Sequence, residues 1–371
     1  MSSKVKCPIC GHVLSAAGNT YECHDGCLCR LPMDLVDSKC DVLPVVVLGM
    51  SSVGKSCYIG AILKALSLGD GERFFWEKAA VDIDTDKDIR EKYISAFNDG
   101  EPRKVIESTR SVNDVAVSRI VDPLLVKMDF DDCEREIFGM RASFRLFGHH
   151  FFGKKREIRL CIRDVAGEDM VNNRNRLFEA YPILRYAKAL FMMVEPQQLP
   201  GVNRLLREKL PDEKRRSSMG LKSDMHSNER DVIDLLNEIR KGYLGIRKCP
   251  LAICVSKTDS LAVLDKFSEI NNNPLFKATS KVSKGCIDLS DIEELNDYIQ
   301  EELLVAGSNS RSLLEQLKDV FEYVCFFGVS AFGIDAITEE GKKVRGTISS
   351  KRILEPVLWA LWQEGYLGGC E

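Results

Sequence analysis

Residues 44–57, Pro-Val-Val-Val-Leu-Gly-Met-Ser-Ser-Val-Gly-Lys-Ser-Cys, restrict this chain more than any other stretch. The β-branched run Val45 to Leu48 has the character of a strand buried on both faces. It stops at Gly49, which opens Gly49-x-x-x-x-Gly54-Lys55-Ser56, a full match to the phosphate-loop pattern. Tyr58, Ile59, Ile62, Leu63 and Leu66 then recur at helical spacing. Strand, glycine loop and helix in that order give the pattern its structural context. Gly49 and Gly54 allow backbone conformations that would push a Cβ into a ligand. The amides from Ser51, Ser52 and Val53 through Gly54, Lys55, Ser56 and Cys57 are the candidate phosphate cradle, backed by the helix N-terminus. Lys55 reaches the β- and γ-phosphates as a point charge, and Ser56 places a hydroxyl on Mg²⁺.

With 371 residues of ordinary globular composition, there is room for one large domain and an appendage. The formal net charge of −4 supplies no global basic field and argues against a nucleic-acid partner. No apolar run is long enough to span a bilayer, and Met1 to Cys7 lacks the apolar core of a secretory signal. The expected setting is therefore cytoplasmic.

Six of the 14 cysteines lie before residue 41, in a segment expected to be a separate zinc-ribbon module, 1–41. Cys7-Pro8-Ile9-Cys10-Gly11 reads as a knuckle, two thiolates on a tight turn. In the second cluster Cys23 and Cys27 are the favoured ligands, with Cys29 or His24 as replacements. So small a module has too little apolar sequence to fold unaided, so Zn²⁺ would supply much of its stability.

The remainder, 42–371, reads as the phosphate-loop domain with insertions near 72–135, 203–230 and 262–320. The first is charged and irregular, with a helix through Ile89 to Phe97. It holds Thr109 as the candidate residue that caps Mg²⁺ and senses the γ-phosphate. Ser108 is a rival, and a solvated loop threonine is the plain alternative. Residues 136–147 and 156–164 alternate as a hairpin around Gly148-His149-His150, where the histidines lack metal partners and read as a plain turn.

The second hairpin strand ends in Asp164-Val165-Ala166-Gly167-Glu168. Asp-x-x-Gly at a strand end, downstream of a phosphate loop, places Asp164 on Mg²⁺ and the Gly167 amide on the γ-phosphate. A helix is expected over 169–187 and a central strand over 189–196. The polar stretch 203–230 reads as a mobile insertion, followed by a helix over 231–243. The apolar run 249–255 ends in Ser256-Lys257-Thr258-Asp259, a guanine-reading pattern with Ser in first place. Asp259 would accept from both N1–H and the exocyclic N2–H₂ of guanine, a pair that adenine does not offer. Lys257 would lay its stem across the base, and Ser256 would hydrogen-bond to the phosphate loop. The last strand, 323–329, runs into Ser330-Ala331, where a backbone amide would read guanine O6. An amphipathic helix closes the chain, with Pro356 in its first turn and Leu358, Trp359 and Trp362 on the sheet.

Across 44–364 this order of motifs resembles the Ras-like GTPase superfamily. With Cys7 and Cys10 ahead of the loop, and with the Pro356/Trp359 helix, it is most similar to the bacterial double-GTPase family, type 2. The resemblance implies a three-layer α/β P-loop fold with a mostly parallel sheet, a small zinc ribbon before it, GTP/GDP and Mg²⁺ as ligands, and GTP hydrolysis, which the Glu168 carboxylate beside a γ-phosphate would make slow. It also implies a molecular switch in a bacterial conflict or regulatory system, with GTPase-associated proteins or a sister GTPase as partners. The switch output would be order or disorder of 98–115 and 165–180. Lys55, Asp164, Gly167, Glu168 and Thr109 are the expected catalytic group. Glu168 stands where many such proteins carry a Gln, and Ser256 where they carry Asn or Thr. The alternatives are a nucleotide-dependent scaffold without hydrolysis and an ATP-dependent P-loop enzyme.

Overall fold

The computed structural model describes residues 4–38, 40–67, 93–94, 97, 103–104, 120, 122–129, 145–146, 149–150, 157–173, 176–196, 200–209, 228–242, 248–267, 273–277, 286–305, 311–333, 337–339 and 343–370. The fold is mixed α/β, built on a six-stranded sheet. Its strands are β1 (Asp41–Leu48), β2 (Leu124–Asp129), β3 (Glu157–Asp164), β4 (Ala189–Val194), β5 (Leu251–Val255) and β6 (Val324–Gly328). They lie in the order β6-β5-β4-β1-β3-β2, parallel throughout except for β2, which runs antiparallel to β3.

The sheet explains the apolar runs. All residues of β4 and β5 are buried, as parallel strands with both faces covered must be. Register pairs Val47 with Asp164 on one side of β1, and Leu48 with Met192 on the other. β1 thus lies where the chain switches from one side of the sheet to the other, and in such sheets the ligand crevice lies there, beyond the carboxyl ends of the strands. Phe191 and Phe327 project from one face of the sheet. Tyr58 of α1 (Lys55–Ser67) meets Phe191 edge-on at 6.4 Å, and Trp359 meets Phe327 at 5.8 Å. α1 and the closing helix therefore cover the same face. The closing helix, Glu355–Gln363, has Pro356 in its first turn, with Leu358 and Trp359 buried.

Several expectations are corrected. β3 pairs with Leu124–Asp129, inside the stretch read as an irregular insertion, and with β1, so both its edges are taken; of the hairpin partner expected over 136–147, only 145–146 are described. An edge strand needs no continuous apolar run, so Lys127 and Asp129 hid it. Residues 145–146 pair instead with His149–His150. The single helix expected over 169–187 is three short pieces, Asp169–Asn172, Leu177–Ala180 and the 3₁₀ turn Pro182–Tyr186. Pro182 lacks the N–H that a continuous helix would use. Residues 203–209 belong to a helix, Pro200–Lys209, and the rest of the stretch expected to be mobile, up to residue 227, lies outside the described residues. Cys286–Asp288 pairs in parallel with Gly368–Cys370, tying the region after 262 to the C-terminal segment.

The N-terminal module is a three-stranded antiparallel sheet, Ser15–Ala17, Thr20–Glu22 and Arg30–Pro32, followed by one helical turn and a half, Met33–Asp37. It rests on the β3 side of the large sheet. Arg159 of β3 reaches Asp34 at 3.7 Å, Arg30 reaches Asp122 at 3.3 Å, and His12 meets Tyr186 edge-on at 6.3 Å. Among the described residues no helix is long and apolar enough to cross a membrane.

In this module the Sγ atoms of Cys7, Cys10, Cys23 and Cys27 all lie within 4.8 Å of one another. Two of the separations are 3.6 Å, Cys7 to Cys27, and 3.4 Å, Cys10 to Cys23. These are too long for disulfides and close to the roughly 3.8 Å edge of a tetrahedron with Zn–S bonds of about 2.3 Å. The donor set fits Zn²⁺. The two rival ligands are not part of this set. Cys29 directs its Sγ to the Cys27 carbonyl oxygen, and His24 is exposed beside Glu22. Substituting Cys23 with Ser should cost the module its metal and its fold. Limited proteolysis should then cleave within residues 5–37 while the large domain persists, and chelation of the wild type should give the same fragment. An intact module in metal-free protein would overturn this expectation.

Candidate nucleotide-binding site

The strand ends that converge at the crevice carry the residues singled out in the sequence. Gly49 follows β1 with φ +142°, where a Cβ would stand 2.6 Å from the Met193 carbonyl oxygen. The loop then curls through Ser52 (φ +67°) and Gly54 (φ +92°) into α1, whose first backbone bond runs from the Tyr58 amide to the Gly54 carbonyl at 2.8 Å. Lys55 is buried, and its Nζ donates across the loop to the carbonyl oxygens of Gly49 (2.7 Å) and Met50 (2.9 Å). Burial pushes its pKa down, while the nearby Asp164 carboxylate acts in the opposite sense. An ammonium taken out of water in this way is suited to an anion.

Asp164, the last residue of β3, is buried. Its Oδ2 accepts from Ser56 Oγ at 3.1 Å and from Tyr93 Oη at 3.2 Å. The hydroxyl of Ser56 and the carboxylate of Asp164 are hard oxygen donors placed side by side, a set that fits Mg²⁺. Thr109 and its rival Ser108 lie outside the described residues. The next turn brings Gly167 onto the loop. A Cβ there would lie 2.4 Å from the Ser51 amide nitrogen and 2.6 Å from the Met50 carbonyl carbon. Backbone at that range cannot yield cheaply. Gly167→Ala should therefore cost about 1–3 kcal/mol of the closed loop arrangement. Titration with a GTP analogue should read this as about ten- to a hundredfold weaker binding. Glu168 is exposed and begins the turn Asp169–Asn172.

At the other end of the crevice, Ser256 is buried and donates its hydroxyl to the Val53 carbonyl oxygen at 2.6 Å, joining β5 to the phosphate loop. Lys257 has φ +51° and donates Nζ to the Ser52 carbonyl oxygen and to Glu195 Oε1, both at 2.9 Å. Ser52 and Lys257, two non-glycine residues held in the left-handed region, are thus tied to each other. Such strain persists only where the surroundings over-determine it. Asp259 is partly buried and accepts from Ser330 Oγ at 2.5 Å. Burial pushes its pKa up, and the Ser330 hydrogen bond pulls it back. The Ser330 amide is committed to the Lys351 carbonyl at 3.0 Å, which leaves Ala331 as the candidate amide of the Ser-Ala pair.

Three contributors escaped the sequence reading. Glu195 closes β4 as a buried carboxylate on Lys257, Tyr93 donates to Asp164, and Tyr181 hydrogen-bonds the Ala166 amide at 3.3 Å. Only Glu195 carried a signal, an acid immediately after a buried parallel strand that ends at the crevice.

No family model matches the chain, and no curated protein matches it. Solved structures do. A signal recognition particle receptor SRβ–GTP/SRX complex from Chaetomium thermophilum is 13% identical, with 78% of this chain and 91% of that chain covered, at a TM-score of 0.31. The S. cerevisiae Ski7 GTPase-like domain bound to GTP is 12% identical, with 87% and 50% covered, at 0.32. A GTP-binding protein from Sulfolobus solfataricus in complex with GDP is 9% identical, with 87% and 52% covered, at 0.27. This chain spans about half the length of the last two.

Proposed function

We propose that the chain binds a guanine nucleotide and hydrolyses GTP slowly, as a molecular switch read by a protein partner. The observation that carries this reading is the convergence at the strand ends. Lys55 stands on the phosphate loop, Ser56 meets Asp164, Ser256 is bonded to Val53, and Asp259 is held by Ser330. In this reading the loop amides and Lys55 bind the phosphates and neutralise charge developing on them. Ser56 and Asp164 would hold Mg²⁺, which when bound supplies electrostatic stabilisation of the β- and γ-phosphate oxygens. Lys257, kept in place by Glu195 and Ser52, flanks the base, and Asp259 selects guanine over adenine. Zn²⁺ would be held by Cys7, Cys10, Cys23 and Cys27. The resemblance to type 2 double GTPases adds a sister GTPase or GTPase-associated protein as partner, in a bacterial conflict or regulatory setting.

The test is direct. Mass analysis of nucleotide that co-purifies with the protein should return GDP or GTP, and single-turnover assays should show slow phosphate release. ATP alone, or neither nucleotide, would overturn the guanine reading. Glu168 favours a second reading, a scaffold that binds without hydrolysing. A carboxylate in that slot would repel an anionic γ-phosphate instead of orienting water. No phosphate release above background, with or without partner, would favour the scaffold.

A further inference from the structure

We propose that Tyr181 and Asp169 form a latch that positions the Ala166–Gly167 peptide against the phosphate loop, and that this latch sets the preference for nucleoside triphosphate over diphosphate. The inference rests on the nucleotide reading above. Tyr181 lies far along the chain from Asp164 but holds both ends of the loop that begins there. Its ring lies under the Arg163 guanidinium at 5.5 Å, on the residue before Asp164. Its hydroxyl accepts from the Ala166 amide at 3.3 Å and donates to Asp169 Oδ2 at 2.5 Å. Asp169 is fully buried, and its Oδ1 accepts from Asn173 Nδ2 at 2.7 Å. The Asp169 amide also donates to the Ala166 carbonyl oxygen at 3.1 Å. Ala166 is therefore held at its N–H by Tyr181 and at its C=O by Asp169.

The next residue is Gly167, whose backbone stands against Ser51 and Met50. A terminal phosphate seated between Lys55 and the loop amides would adjoin the Gly167 amide, and a diphosphate would end short of it. The cost of misplacing that amide therefore falls on the triphosphate alone. A tyrosine that merely fills the core would behave differently. Losing its hydroxyl would shift stability, and any effect on binding would be shared by both nucleotides. Tyr181 and Asp169 are positioning residues in this account, since they act through Ala166 and Gly167.

The experiment uses the full chain with Mg²⁺ and Zn²⁺ present. Affinities for GDP and for a β,γ-imido GTP analogue are measured by displacement of a fluorescent nucleotide, in wild type and in Tyr181→Phe. The analogue should weaken by about fivefold or more, within the usual range of coupling between linked elements, and GDP should stay within about twofold. Equal weakening of both nucleotides, or no change in either, would overturn the latch. Asp169→Asn keeps the shape and weakens the acceptor, so it should move the analogue in the same direction by a smaller factor. It carries the test if the phenylalanine variant does not fold. A wild-type protein that binds neither nucleotide would sink the nucleotide reading itself. Wild-type binding with no selective loss in the variants would sink the latch alone.

Discussion

Lys55→Ala should remove measurable triphosphate binding while leaving the protein folded. Lys55 is only 7% exposed, and its ammonium has two of its three donors on loop carbonyls, those of Gly49 and Met50. It is the cation that the loop presents to an incoming anion, and burial has already removed the water that would screen it. Truncating one partner of a buried charge pair costs about 3–5 kcal/mol, which corresponds to a loss of about a hundred- to several thousandfold in affinity. The free protein should tolerate the change, because the substitution also removes the cost of keeping a desolvated ammonium. Thermal unfolding of the variant should thus stay near wild type. Calorimetric titration with a GTP analogue in Mg²⁺ is the measurement. An affinity within about tenfold of wild type would place the phosphates elsewhere and dissolve the site as described.

What the sequence made legible follows from which interactions are local. Val45–Leu48, Ala189–Val194 and Leu251–Val255 stand out because parallel strands covered on both faces are written as unbroken apolar runs. Gly49 to Ser56 stands out because backbone needs dictate residue type there. The apolar runs place Ser256 and Ser330 near strand ends, and the alternation of 156–164 does the same for Asp164. The less legible contacts join distant residues without a period or spacing. Glu195 meets Lys257 across two neighbouring strands, and Tyr181 meets Ala166 across a loop. Leu124–Asp129 was lost among charges because an edge strand can alternate and still pair. The helix expected over 169–187 overran Pro182 because apolar residues continued at helical intervals while the backbone could not. In the Cys module, residue type named the metal chemistry, but the choice among Cys27, Cys29 and His24 needed the turn geometry that aims Cys29 at a carbonyl.

Asp259→Ala should weaken GTP by about a hundredfold or more and leave ATP unchanged, which separates base reading from phosphate binding. The carboxylate is partly buried and oriented by the Ser330 hydroxyl, which itself accepts from the Gly333 amide at 3.0 Å. Guanine offers N1–H and N2–H₂ on one edge, two donors for two carboxylate oxygens. Hydrogen bonds to a charged acceptor contribute about 1.5–3 kcal/mol each, so losing the pair costs about 3–6 kcal/mol before water relieves part of it. Adenine has an acceptor at N1 and no amino group at position 2, so its binding never draws on this carboxylate. Burial pushes the Asp259 pKa up, so the group sacrifices some of its readiness to ionise in order to sit here. The hydrogen bond from Ser330 counters that burial by favouring the charged form that guanine requires. The comparison must be made on phosphate-matched nucleotides, since both share every contact to Lys55 and the loop. Equal losses for GTP and ATP would show that Asp259 supports the pocket without reading the base. An unchanged GTP affinity would move base recognition away from the strand that ends at Ser256.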